Sequence, residues 1–251
     1  MRSQSWVFRS PINDFLVVDP AELRVSPESV ARYFGGNRYR ATGRTRERID
    51  AGIQEALALA APMALIGLHA IRRAEPPGRI RLKSGPVLDL PSCGETAGAG
   101  WLAAGVATLG PGLETHCRTF AARGEIYRAT LLDAVGVALL ASLAAVCEDR
   151  LEVLARSRGL HAGRRMAPGT GGLPLSRQQA LFSMVGAERI GVRLNDDLVM
   201  EPVKSISFFS LFRTAPDAAI GHSKCAGCGM DGCGFRKSPG TPQAQTNMAL
   251  A

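Results

Sequence analysis

The first residues, Met1-Arg-Ser-Gln-Ser-Trp-Val-Phe-Arg, hold no apolar core before charge resumes, so no secretory signal is legible. An uninterrupted apolar run of the roughly 20 residues needed for a membrane span is also missing. The most apolar stretch, Leu131 to Val146, is shorter and is broken by Asp133. Together these absences predict a buried helix in a cytoplasmic protein with no membrane partner. In that compartment the six Cys point to thiols or metal ligands rather than structural disulfides. Histidine is scarce, and His69, His116, His161 and His222 are dispersed. Asp196, Asp197 and Glu201 lie close together, but no His or Lys stands at a matched position to complete an acid–base set. They read as a solvated turn and strand edge, and no catalytic residue is predicted.

What is present suits one sizeable globular core. The 251 residues are 46% hydrophobic and 21% charged, ordinary values for a folded chain. The formal charge of +8 comes from scattered Arg, with a denser patch at Arg38, Arg40, Arg44, Arg46 and Arg48. A basic surface favours anionic partners without choosing among them, and a solvated helix start is an equally good account of the patch.

Residues Ala162 to Leu211 carry a local plan of strand, glycine-rich loop, helix, strand and strand. The loop Met166-Ala-Pro-Gly-Thr-Gly-Gly-Leu-Pro174 is too rich in Gly and Pro for regular structure and reads as a shaped turn able to offer amides to a ligand. Ser176-Arg-Gln-Gln179 matches a capping box, and the helix it opens runs to a stop at Gly186. Ile190 to Leu194 alternates as a half-buried strand does.

Upstream, Ser26-Pro-Glu-Ser29 opens a helix closed by Gly35-Gly36, and Arg46 to Ala60 has amphipathic spacing ended by Pro62. Ala64 to Ile71 is an apolar strand, Arg79 to Leu90 a hairpin, and Trp101 to Leu109 a buried strand. Ser92 stands ready to cap a short helix, Leu113 to Ala122 forms another, and Glu125 to Ser157 is the longest.

This order resembles the activation domain of cobalamin (vitamin B12)-dependent methionine synthase, a family with short stand-alone members. Its loop pattern Arg-x-Ala-Pro-Gly is met by Arg165, Ala167, Pro168 and Gly169, whereas Thr170 and Gly171 depart from the aromatic and proline that follow. Its second motif is met by Leu194-Asn-Asp-Asp-Leu-Val-Met200-Glu-Pro202-Val-Lys-Ser205-Ile-Ser207, and a third by Leu132-Asp-Ala-Val-Gly136 in the long helix. The family also presents a carboxylate and an arginine from that helix, where Gly136 to Leu140 is wholly apolar here. The match spans about residues 20 to 212.

The resemblance implies an α+β fold, a twisted and mainly antiparallel sheet with flanking helices. It implies S-adenosylmethionine as cofactor, gripped by Arg165 with backbone contacts from Ala167 and Gly169. It also implies methyltransferase-related reductive methylation of a corrinoid. The chain lacks any Asp-x-His-x-x-Gly corrinoid-binding signature, so the corrinoid is expected on a partner, a corrinoid-binding protein or methyltransferase served by an electron donor protein.

The expected domains are 1–219, resembling the activation domain, and 220–251, a Cys-rich tail. In that tail Cys225, Cys228 and Cys233 place three thiols within nine residues of a Gly-rich loop, which is metal-ligand spacing. Iron–sulfur and zinc both fit, with His222, Cys93, another chain or a substrate as fourth ligand. One rival reading makes this tail a redox module on a scaffold. A nucleic-acid-binding zinc knuckle is disfavoured, because the tail lacks interleaved aromatics and a matching His.

Overall fold

A computed structural model describes residues 12–36, 39–75, 78–85, 87–90, 96, 98–170 and 172–216. The expected helix at Ser92, the boundary at 219/220 and the Cys tail lie outside these residues.

The chain opens with strand β1 (Ile12–Val17), then helices α1 (Pro27–Gly35) and α2 (Gly43–Leu59). Ser26 caps α1 by accepting from the Ser29 amide, with Pro27 in the first turn where a missing N–H costs nothing. Strand β2 (Met63–Glu75) extends beyond the apolar run that announced it, and the β3 (Arg79–Leu82) and β4 (Val87–Asp89) hairpin follows. Next come β5 (Ala99–Thr108), α3 (Gly112–Ala122) and the long α4 (Ile126–Arg156). The chain continues through β6 (His161–Ala162), α5 (Arg177–Val185), a 3-10 turn (Ala187–Ile190), β7 (Arg193–Leu194), β8 (Met200–Glu201) and β9 (Ser205–Arg213).

The main sheet is seven-stranded, in the order β4-β3-β2-β5-β9-β6. β2 lends one edge to β1 along Met63–Leu68 and then to β3 from Ile71 onward. All these pairings are antiparallel, so the fold is α+β with a curled antiparallel sheet and flanking helices.

Both faces of the central strands are buried: β5 reads as a nearly continuous apolar run, whereas β9 interleaves its buried phenylalanines with buried Ser205, Ser207 and Ser210. On one face Ile66, Leu68, Ala103, Phe208 and Phe212 pack with Ile49, Leu131, Val135 and Leu139 of α2 and α4. On the other, Leu65, Leu102, Val106, Phe209 and Leu211 pack with the β3–β4 hairpin and with Leu181 and Val185 of α5. Each phenylalanine of β9 contributes about 1.5–3 kcal/mol by burial. Among the described residues α4 is the one helix long and apolar enough to cross a membrane. Its apolar side chains Leu132, Val135, Leu139, Leu143 and Leu151 are spent on this core.

Two local expectations are corrected. Ser176 has helical dihedrals and forms no side-chain cap. The amides of Arg177, Gln178 and Gln179 instead donate to the carbonyls of Pro174, Leu175 and Ser176, leaving the capping box nothing to satisfy. The strand expected over Ile190 to Leu194 shrinks to two residues. Ala187 and Ile190 are buried at the three-residue period of a 3-10 turn, and Gly191 then turns the chain with φ of 71°.

Candidate ligand site between the long helix and the last strand

The motif segments around Arg165, Leu132 to Gly136 and Met200 to Ser207 meet around β9. From Ala162 the chain runs beside that strand: the Gly163 amide donates to the Leu211 carbonyl at 2.7 Å, and Met166 and Phe209 exchange two bonds of 2.8 Å. Three steps on this side, 163 to 166, oppose two on β9, 211 to 209, so one extra residue is accommodated at Arg164–Arg165. Ala162 and Met166 consequently sit in opposite core layers, which even spacing along a regular strand forbids. Such a bulge re-aims side chains and is common beside functional sites.

Its effect is to turn Arg165 inward while Arg164 stays exposed. The Arg165 side chain is 15% exposed, and its Nε donates to Glu148 Oε1 of α4 at 2.7 Å. Its guanidinium carbon lies 5.6 Å from the Phe208 ring centroid, within cation–π range. Phe208 in turn rests over Gly105, its direct partner on β5. A Cβ at Gly105 would lie inside contact distance of the ring, 3.0 Å from Cε1 and nearer still to Cζ and Cε2. A bare backbone on β5 therefore seats the ring that supports the arginine. Next to Glu148, burial pushes the Cys147 thiol up to about 12, with Arg165 pulling the other way. This thiol is neutral and unsuited to nucleophilic work.

The glycine-rich loop leaves the bulge and closes on itself. Gly169 has φ of 84°, and its amide donates to the Leu173 carbonyl at 2.8 Å. The amide and hydroxyl of Thr170 both donate to the Ala167 carbonyl. The expectation that the loop offers amides is thus corrected at Gly169 and Thr170, whose donors are spent on the turn. Ala167 is half-buried, while Gly169 and Thr170 are exposed beyond it.

The other two motifs also touch. Lys204 of the Met200-x-Pro202 segment reaches Asp133 of α4, Nζ to Oδ1 at 2.6 Å, and its amide donates to Glu114 at 2.8 Å. Gly136 lies under the same lysine, where an added Cβ would be 3.0 Å from Lys204 Cε. The buried Gln178 of α5 accepts from Ser207 Oγ and donates to the Leu198 carbonyl, tying the helix to β9 and to the turn before it. Asp196, Asp197 and Glu201 are exposed, as a solvated turn and strand edge require.

Among the described residues no group of three His, Cys, Asp or Glu is placed to hold a metal ion. Cys225, Cys228, Cys233, Cys93 and His222 lie outside them. Glu148, Phe208 and Gly105 were not foreseen. Glu148 is 17 residues from its partner on another element, and no local pattern marks it.

No protein-family model matches the chain. No curated protein matches it either. Among solved structures it is similar to the crystal structure of the MetH reactivation domain bound to AdoHcy, with a TM-score of 0.63, 16% identity, and coverage of 82% of this chain and 79% of that one. The chain therefore has the fold of the methionine synthase reactivation domain.

Proposed function

We propose that the chain binds an S-adenosyl ligand, S-adenosylmethionine or S-adenosylhomocysteine, and takes part in reductive methylation of a corrinoid carried by a partner protein. The observation that carries this reading is Arg165, turned inward by the bulge. Among the described residues only Nε of its guanidinium is hydrogen-bonded, which leaves Nη1 and Nη2 for a ligand carboxylate in a two-pronged grip. The similar MetH domain was crystallised with AdoHcy, a ligand bearing such a carboxylate.

In this reading Ala167 lines the ligand with its half-buried backbone, and Gly169 contributes shape rather than a donated hydrogen bond. The reduced corrinoid supplies the nucleophile and the sulfonium supplies the methyl group. This chain's part is to hold donor against acceptor, which needs no acid or base of its own. Cys225, Cys228 and Cys233 are proposed as ligands for an iron–sulfur cluster or zinc on the electron-donor side. The site of action is the cytoplasm.

Calorimetric titration of the full chain with S-adenosylmethionine and S-adenosylhomocysteine tests the reading. Saturable 1:1 binding of either supports it, and no heat from both overturns it.

A further inference from the structure

We propose that the β3–β4 hairpin and the end of β2 beside it form a docking surface for a short acidic segment of a partner protein. The proposal does not depend on the S-adenosyl reading above.

The outer face of this region crowds like charges together. Between Ile71 and Arg73 the β2–β3 register slips by one residue, so Arg72 and Arg73 stand together against the single Arg81 of β3. Like charges directly opposite on paired strands are destabilising. All three side chains are exposed, as is Lys83 just past the end of β3. The bulge thus adds an arginine where the sheet alone favours none.

The next row along the hairpin is balanced instead. Glu75, Arg79 and Asp89 are cross-strand neighbours, and Arg79 Nε donates to Asp89 Oδ1 at 2.7 Å, with Arg177 of α5 3.5 Å from the same carboxylate. Arg73 reaches back to Glu75 at 3.0 Å. Among the described residues Arg72, Arg81 and Lys83 enter no ion pair. A local rule broken at an exposed position, with no compensating contact, is expected where a surface serves binding.

Guanidinium groups pair with carboxylate and phosphate alike. Two observations favour carboxylates on a protein. The positive cluster is small and is bounded by Glu75 and Asp89, which repel the next charges of a continuous phosphate backbone while leaving a few separate carboxylates unopposed. Residues 70–90 also contain no aromatic side chain on which a base would stack. Exposed Val87, directly opposite Arg81, adds a small apolar contact. The hairpin stands at one end of the sheet order, and the stretch carrying Arg165 runs beside β9 toward the other, so docking here leaves the ligand site open.

The test uses the full chain and a fluorescein-labelled hexaglutamate peptide, read by fluorescence anisotropy at about 20 mM and about 150 mM salt. Saturable binding that weakens at the higher salt is expected. Arg72→Ser/Arg81→Thr/Lys83→Ser should weaken it about tenfold, the combined effect of several exposed ion pairs. Arg44→Ser/Arg123→Ser/Arg193→Ser removes the same charge from exposed sites elsewhere and should weaken it by less than about threefold. Arg81→Thr alone should leave Tm unchanged or raise it, because it relieves the like-charge row. No saturable binding at the lower salt, or equal losses in the two triple variants, overturns the inference. A fall in Tm for Arg81→Thr also overturns it, since the arginine then serves the hairpin itself. A short DNA duplex whose affinity depends on the hairpin charges more steeply than the peptide's overturns the assigned partner in favour of nucleic acid.

Discussion

Gly105→Ala is a sharp perturbation because the added methyl has nowhere to go. Its Cβ would fall inside contact distance of three ring atoms of Phe208, a fully buried side chain between β5 and α4. Overpacking of this kind costs about 1–3 kcal/mol. Replacing a strand glycine returns about 0.5–1 kcal/mol of backbone entropy. The net expectation is a loss of about 1–2 kcal/mol, which for a chain of this size lowers Tm by roughly 2–8 °C. Because Phe208 supports Arg165, S-adenosylhomocysteine affinity should fall as well. Thermal melts followed by circular dichroism read the first effect and calorimetry the second. Combining Gly105→Ala with Phe208→Leu should recover part of the stability, with a coupling of about 0.5–3 kcal/mol, because the pair is in direct contact. An unchanged or raised Tm in Gly105→Ala would refute the stacking of ring on bare backbone, and strictly additive losses in the double variant would do the same.

Arg165→Ala should weaken S-adenosylhomocysteine binding by about 1.5–3 kcal/mol, the range for a charge-assisted hydrogen bond. Arg164→Ala, on the exposed side of the bulge, should change it little, so equal losses in calorimetry would contradict the geometry. Gly169→Val should lower stability by about 1–3 kcal/mol, because a branched residue at φ of 84° is strained whatever the ligand does; an unchanged urea midpoint would show that the turn rearranges freely. Each of Cys225→Ser, Cys228→Ser and Cys233→Ser should release bound metal, since a hydroxyl is a poor ligand for soft metals. A chain ending at Ala219 should still fold and bind S-adenosylhomocysteine. Metal analysis and melting curves check both points, and an insoluble truncated chain would count against a separable tail.

The parts legible in the sequence were those where a single physical demand sets the pattern. β5 announced itself because burial on both faces demands apolar residues along nearly all of the strand, and α1 because Ser26 and Pro27 answer the demands of a helix start directly. The start of α5 misled for a definite reason. Ser176-x-x-Gln179 carries the right side chains, but the turn Pro174–Ser176 already supplies carbonyls to the first amides. Ile190 to Leu194 misled because apolar residues spaced for a 3-10 turn and then released by a glycine imitate alternation. At the site, Arg165 and its loop stood out through their local motif. Glu148 and the Gly105–Phe208 seat did not, because their meaning comes from contacts across elements far apart in the chain. The role expected of Gly169 moved from amide donor to turn-former, since its N–H is already bonded to Leu173.

The structure of the chain co-crystallised with S-adenosylhomocysteine tests the central claim most directly. The account predicts the ligand's α-carboxylate within hydrogen-bonding reach of the Arg165 terminal nitrogens, with its homocysteine arm passing Ala167. A ligand bound elsewhere, with Arg165 still turned only to Glu148, would contradict it.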